Sequence, residues 1–482
     1  MGKITRNYLY NLAYQLLVIL TPIITAPYLT RVLGADNLGI YGYISSSANV
    51  IITCSLLGIF AYGSRQTAYV RDNRRELTET FWEIAMARLV LGITGTFIYG
   101  AFAVLHQSYR SLFFLYYPFI LAQFIDCTWV YVGMEDMRPA VTKNFVTRLA
   151  NVAGIFLLVR KREDLWIYVL LLAATSLIAT AAAYTQLRKY IGKPAGKWRR
   201  FFYHIKGSVS LFLPQAAAMF YLQVDKVMLQ WLTGRSSQVS FYDYAEKMIN
   251  IPLSLITVLS TVMMPRIANE FKNGNKEQIS SLLGKAGRYT LFMAFPLMFG
   301  LAVISGQFIP WYLGEEYSPS AAVMVCLAPI VLFNALAGIS GQQYFTATNQ
   351  NGILLKAYGS AAILNVVINA LLIPKYGCLG AAAATVASSL ISMLIQYHYL
   401  NRQVGAGHIL EGSGKYLGTS LVMALVVFGI SRRMPARPLT TLIQAAVGIL
   451  VYGLLMTACE DDTLRELTQR VIKKRKQDET DR

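Results

Sequence analysis

The sequence predicts an all-α, polytopic membrane protein of about fourteen transmembrane helices. Three observations predict it: long apolar runs, a composition 55% hydrophobic and only 14% charged, and an internal repeat. A run of ~20 apolar residues covers the ~30 Å hydrocarbon core of a bilayer. Backbone polar groups in lipid must be paired within the segment, so such runs are helices. The ten-residue alternating segments of a membrane barrel do not occur. A soluble domain carries about 25% charged residues.

The first half offers spans at 10–31, 38–61, 84–105, 112–133, 141–160 and 165–187. The second offers 208–232, 241–265, 286–305, 320–346, 353–374 and 378–400, followed by 414–432 and 439–458. The expected organisation is an N-lobe over 1–192, a basic linker over 193–206, a C-lobe over 207–402, two extra spans within 403–460 and a tail over 461–482. Prolines interrupt several spans, namely Pro22, Pro27, Pro214, Pro252, Pro296 and Pro329. Each removes a backbone donor and permits a kink. In the tail, Leu464, Leu467, Val471 and Ile472 share a helical face among Arg465, Arg470 and Lys473 to Lys476, a pattern for an interfacial helix on anionic lipid.

The repeat is legible as a matched turn. RVLGADNLGIYGY (31–43) joins spans 1 and 2, and WLTGRSSQVSFYDY (231–244) joins spans 7 and 8. Tyr41 matches Tyr242, Tyr43 matches Tyr244, and Arg65 and Arg266 follow at equal intervals. Arg88 and Arg288, then Pro118 and Pro329, fall at corresponding places. Six spans per copy return the chain to its starting side, so the copies share one orientation about an axis along the membrane normal. That build suits alternating access around a site between copies.

Charge sets topology and excludes other classes. Most of the 44 lysines and arginines fall beside spans on the side that holds both termini, the 62–83 loop, the linker and the 266–285 loop. By the positive-inside rule that side is cytoplasmic. Arg160 to Arg162 and Arg432-Arg433 are local exceptions on the outer side. The net charge of +19 is thus directed at anionic lipid and not at nucleic acid. The five cysteines show neither metal nor disulfide spacing, and no cleavable signal is expected. There is no phosphate-binding glycine loop, and the four histidines read as surface residues. No cofactor, metal site or catalytic constellation is expected.

Ionisable residues inside spans mark candidate sites, since a charge at mid-bilayer costs ~2.5–3.5 kcal/mol even on insertion scales. The cationic candidates for lining a cavity are Arg31, Arg88, Arg148, Lys226 and Arg288. Asp126, Asp225 and Glu246 are the candidates for ion coupling. For Arg31 and Arg88 snorkelling to the interface is an equal alternative. Asp225 and Lys226 are adjacent on their helix and cannot pair well with each other. Asp243 and Lys247 are spaced as a self-neutralising helix pair, which leaves Glu246 the freer carboxylate.

The opening RVLGADNLGIYGY with SRQTA (64–68), the turn WVYVGMEDM (129–137), and LFLPQAAAMFYLQVDKVML (211–229) with YAEK (244–247) and PRIA (265–268) resemble Wzx-type polysaccharide flippases. These belong to the multidrug/oligosaccharidyl-lipid/polysaccharide exporter superfamily. The chain departs from the pattern at Val132, where many relatives have glutamine. The resemblance implies two six-helix lobes around a cavity, with spans 13 and 14 beside a groove for a lipid tail. It implies an undecaprenyl-diphosphate-linked oligosaccharide as substrate, flipped across the cell membrane for O-antigen, capsule or exopolysaccharide. A polysaccharide polymerase and chain-length machinery would be its partners. Arginine forks suit a diphosphate, and an inside-negative potential would favour its outward passage. A cation-coupled multidrug exporter, a lipid II flippase and a membrane polymerase are the rival expectations. Short outer loops count against the polymerase.

Overall fold

The computed structural model describes the backbone of residues 3–136, 138–194, 200–432, 434–466 and 469. The side chain of Pro214, Arg433, linker positions 195–199, and the tail positions Leu467, Arg470, Val471, Ile472 and Lys473 to Lys476 lie outside the described residues. All described regular structure is helical. The chain divides into two compact units, Met1–Asp243 and Tyr244–Arg482.

The first unit holds α1 (Lys3–Leu56), α2 (Ile59–Val70), α3 (Arg74–Leu105), α4 (Arg110–Leu115), α5 (Tyr117–Phe124), α6 (Thr128–Gly133), α7 (Arg138–Leu158), α8 (Leu165–Leu187) and α9 (Phe201–Thr233). Helix α10 (Ser236–Lys272) begins in it and runs into the second unit. The second unit continues with α11 (Lys276–Leu313), α12 (Pro319–Leu327), α13 (Ile330–Gly338), a π-helical stretch at Ile339–Thr346, α14 (Asn351–Tyr376), α15 (Cys378–Val404), α16 (Ser413–Ser431) and α17 (Pro438–Ala458).

Every expected span falls on these helices. Eight described helices are long and apolar enough to cross a membrane, and ten if two bent pairs each count as one span. The expected number is higher for identifiable reasons. Helix α1 contains two expected spans, separated where Gly34 takes a positive φ of 76° that a side chain would resist. Helices α7, α9 and α10 carry charged residues within their apolar stretches, among them Arg148, Asp225, Lys226 and Glu246. Span 4 is broken as well: α4 with the turn before it and α5–α6 meet at 51°.

In the first unit the core lies where α2, α3, α6 and α8 converge on Phe81, Ile84, Trp129 and Leu187. The Trp129 ring stacks on Phe81 at 5.5 Å, and a Cβ on Gly63 would press into the indole. Helix α9 belongs to this unit because it packs along α1, α2 and α3. In the second unit α11 is the central rod, packed against α12, α13, α16 and α17. Gly287 of α11 lies against the Ile409 backbone so closely that a Cβ would overlap it. Helices α14 and α15 form a tight hairpin through Gly377, whose φ is 55°.

The start of the tail is anchored. Leu464 packs against the second core. Asp461 ion-pairs with Lys415, accepts from Tyr416 Oη at 3.0 Å and caps the Leu464 N–H at 3.1 Å. Burial alone would raise the Asp461 carboxyl, but the Lys415 bond, the Leu464 amide and the Tyr416 hydroxyl together hold it below the usual carboxylate range.

Candidate functional site

The matched turns of the repeat meet at one end of the first unit. Gly39 sits under the Ser236 carbonyl, where no Cβ fits. Asp36 accepts from the Ser237 N–H at 3.1 Å, and Tyr109 Oη lies 3.1 Å from Ser236 Oγ. Asn37 donates to the Arg162 carbonyl at 2.7 Å, which brings the 160–164 turn to the same place. Four turns expected on the outer side thus gather at one end.

Just inside this seam lies a buried charge cluster on α9 and α10. Lys226 Nζ pairs with Asp243 Oδ1 at 2.6 Å, and Tyr242 Oη donates to Asp225 at 2.8 Å. All four residues are buried. The repeat-matched tyrosines serve the same helix, since Tyr43 Oη accepts from Trp231 Nε1 at 2.8 Å. Asp243 thus has a partner on α9, beyond the local pairing its spacing suggested. Lys247 lies over the Tyr244 ring, 4.5 Å from its centroid.

A second cluster surrounds the break between α5 and α6. Unwinding there frees carbonyls that lipid cannot satisfy. Arg88 Nε donates to the Phe124 carbonyl at 2.8 Å and Nη2 to the Gln123 carbonyl at 2.5 Å. Tyr184 Oη takes the Ile125 carbonyl at 2.5 Å. Asp126 caps the next helix, accepting from the N–H and the hydroxyl of Thr128, and pairs with Lys143 at 2.5 Å. Arg88 Nη1 has no hydrogen-bond partner among the described residues.

A third cluster corrects a sequence expectation. His204 is buried, not a surface residue. Its Nε2 lies 3.0 Å from Glu83 Oε2 and its Nδ1 3.0 Å from Tyr62 Oη. The triad joins α9 to α2 and α3. The sequence reading missed Glu83 as well, because neither partner is local to His204.

The remaining candidates are dispersed. Arg31 is exposed and donates to the Pro27 carbonyl of its own helix at 2.6 Å. Arg148 is half-buried on α7, and Glu246 is buried on α10. Arg288 belongs to the second unit, 3.8 Å from Glu411, in a cavity of about 540 Å³ shared with Lys276, Ser280, Ser281 and His408. No group of three or more metal-ligating side chains occurs among the described residues.

The turn after span 4 is read directly. Gly133 lies against the Ser64 carbonyl and Thr67, so the described part of the turn, 129–136, docks on 64–68. Glu135 pairs with Arg71 at 2.7 Å and Asp136 accepts from Tyr190 at 2.6 Å.

Residues 4–271 match the family model described as polysaccharide biosynthesis protein, and residues 144–444 match that of lipid II flippase MurJ. A probable low-salt glycan biosynthesis flippase of Haloferax volcanii is 26% identical over 65% of each chain, so the match spans about two thirds of that relative's length. A putative O-antigen transporter of Escherichia coli is 21% identical over 80% of this chain and 94% of that protein. In fold, a lipid II flippase MurJ in an inward closed conformation is similar at a TM-score of 0.72, with 18% identity, covering 95% of this chain and 100% of that one. An inward-facing MATE family multidrug resistance transporter of the MOP superfamily follows at 0.65, with 13% identity, 82% of this chain and 95% of that one. The chain therefore belongs to the polysaccharide biosynthesis protein family, matches the MurJ family model over more than half of its length, and has a MurJ-like membrane fold.

Proposed function

We propose that this protein is a flippase. It carries an undecaprenyl-diphosphate-linked oligosaccharide from the cytoplasmic to the outer leaflet of the cell membrane for surface polysaccharide assembly, without covalent chemistry. One observation carries the reading: the chain matches both a polysaccharide biosynthesis model and a MurJ model. A glycan on a lipid carrier is the cargo chemistry that an O-antigen transporter and a lipid II flippase have in common.

The physics supplies the need. Each sugar hydroxyl stripped of water without a partner costs about 2–7 kcal/mol, so unaided flipping is very slow. Arg148 and Lys226 are the proposed contacts to the diphosphate, with Arg88 Nη1 as a further donor, Arg288 at the cytoplasmic mouth and Arg31 at the outer end. Asp126, Asp225 and Glu246 are the proposed groups for ion coupling. The two copies of the repeat act as moving lobes, and both termini face the cytoplasm. An inside-negative potential favours outward movement by ~2.3 kcal/mol per charge per 100 mV. A polymerase and chain-length proteins then receive the product.

The test is the full chain in proteoliposomes holding a fluorescent undecaprenyl-diphosphate disaccharide, with lectin access to the sugar as readout. Protein-dependent exposure, slowed when the potential is collapsed, is the expected result. No exposure of this lipid, with transport of an organic cation instead, would overturn the reading in favour of a drug exporter.

A further inference from the structure

The seam end of the first unit carries a second recess, separate from the buried ion pairs. It is a cavity of about 370 Å³ walled by α1, the 106–109 turn and the last turn of α9. Ligand pockets run roughly 300–1,000 Å³. The Trp231 indole is 58% exposed, and the His106 ring lies nearly parallel to it, at 11° and 6.3 Å. Gln107 and Ser108 stand exposed on the rim.

No acidic side chain, lysine or arginine lines this recess. Its polar groups have unused capacity. Gln230 is only 8% exposed, and its Oε1 accepts from Ser236 Oγ at 3.0 Å. Its amide nitrogen has no hydrogen-bond partner among the described residues and is not among the buried unpartnered atoms, so this donor is open to the recess that Gln230 lines. His106 Nδ1 lies 2.9 Å from the Phe102 carbonyl. A carbonyl can only accept, so Nδ1 carries the proton and Nε2 is left as an acceptor. The recess therefore offers one aromatic face, planar amide donors and one imidazole acceptor, with no charge.

That combination fits one class of ligand. A pyranose ring has an apolar C–H face that stacks on an indole and an edge of hydroxyls that both donate and accept. A diphosphate would find no cation here. We propose that this recess is a glycan subsite that takes one neutral pyranose ring, with Trp231 as platform and Gln230, Gln107 and His106 as hydrogen-bonding partners. The proposal rests on the flippase reading for the arrival of a sugar at this end. The walls are held together by the Trp231–Tyr43 bond and the Tyr109–Ser236 contact. A sugar that spans them favours the state in which the seam is shut. The subsite thus receives glycan already delivered and opposes its return.

Calorimetry on the purified full chain tests this, with maltotriose, chitotriose and methyl galactoside as probes and sodium pyrophosphate as the charged control. At least one neutral sugar should bind saturably in the millimolar range. Trp231→Ala should abolish that binding. Gln107→Ala, on an exposed turn where the fold is not at stake, should weaken it severalfold. No binding by any of the three sugars, binding unchanged in both variants, or equal binding of pyrophosphate would each overturn the subsite. Vesicle flipping that persists while sugars fail to bind removes only the subsite. Absence of flipping removes the flippase reading whatever the sugars do.

Discussion

Two clusters of the first unit use the same residue types for different ends. Around Arg88 the arginine itself bonds only to backbone, the carbonyls of Gln123 and Phe124, while neighbouring Asp126 takes the amide of Thr128 as well as the Lys143 side chain. Around Lys226 side chains bond to side chains between α9 and α10, Lys226 to Asp243 and Tyr242 to Asp225. A backbone-directed cluster has no alternative partner, because the helix break that it satisfies is permanent. A side-chain pair can open and reform with a new counter-ion at the same charge balance. Depth in the membrane therefore does not separate framework from mechanism; the atoms bonded commit Nε and Nη2 of Arg88 to the framework and leave Nη1 for other work.

The largest effect should come from the framework. Arg88→Met leaves the carbonyls of Gln123 and Phe124 without their donors, while Asp126 keeps Lys143. Each buried group left unpaired costs about 1–3 kcal/mol, so the folded fraction recovered after size-exclusion chromatography should fall sharply. A well-folded Arg88→Met protein would break the comparison. Next in size, Lys226→Gln or Asp243→Asn alone removes one member of a buried ion pair and should lower thermal stability. The double variant should recover stability while flipping stays low. Additive stability losses, or normal flipping in the double variant, would place this pair with the framework.

Smaller is Gly39→Ala, which drives a methyl group into the Ser236 carbonyl. Overpacking of this kind costs about 1–3 kcal/mol, spent on the seam, so cross-linking between cysteines placed at 37 and 237 should fall. Unchanged cross-linking would mean that the turns do not need their close approach. The smallest effect is at the tail. Asp461 has a lowered folded pKa, so its contribution is present above the unfolded carboxylate value and is lost as pH falls through the folded one. Hydrogen exchange around Leu464 should rise on acidification below that range. In Asp461→Asn it should already be raised at neutral pH.

Much of this was legible in the sequence. Apolar runs placed the helices, and the turn at 31–43 announced its partner at 231–244. WVYVGMEDM proved to be a docking turn whose Gly133 and Glu135 have structural reasons. The break between α5 and α6 was not seen because no proline lies at it; Pro118 marks the earlier bend, where α5 begins. Asp126 two residues before Thr128 is a cap signature that could have revealed it. His204 was read as a surface group because the basic linker precedes it, and its partners Tyr62 and Glu83 come from far along the chain. Helical spacing gave Asp243 a local partner in Lys247 but could not reveal the partner from another helix, Lys226, which α9 brings to 2.6 Å. Arg148 shows what pattern alone leaves open, since its depth was readable and its neighbours were not.

The close approach of Gly39 to Ser236 has a consequence for the evolution of loop length. An insertion beside Asp36 or beside Ser237 would unseat both turns at once, so neither copy is at liberty to lengthen this connection alone. Variation in such a protein should accumulate at other connections and spare this one, and a graft of either turn should succeed only with its counterpart.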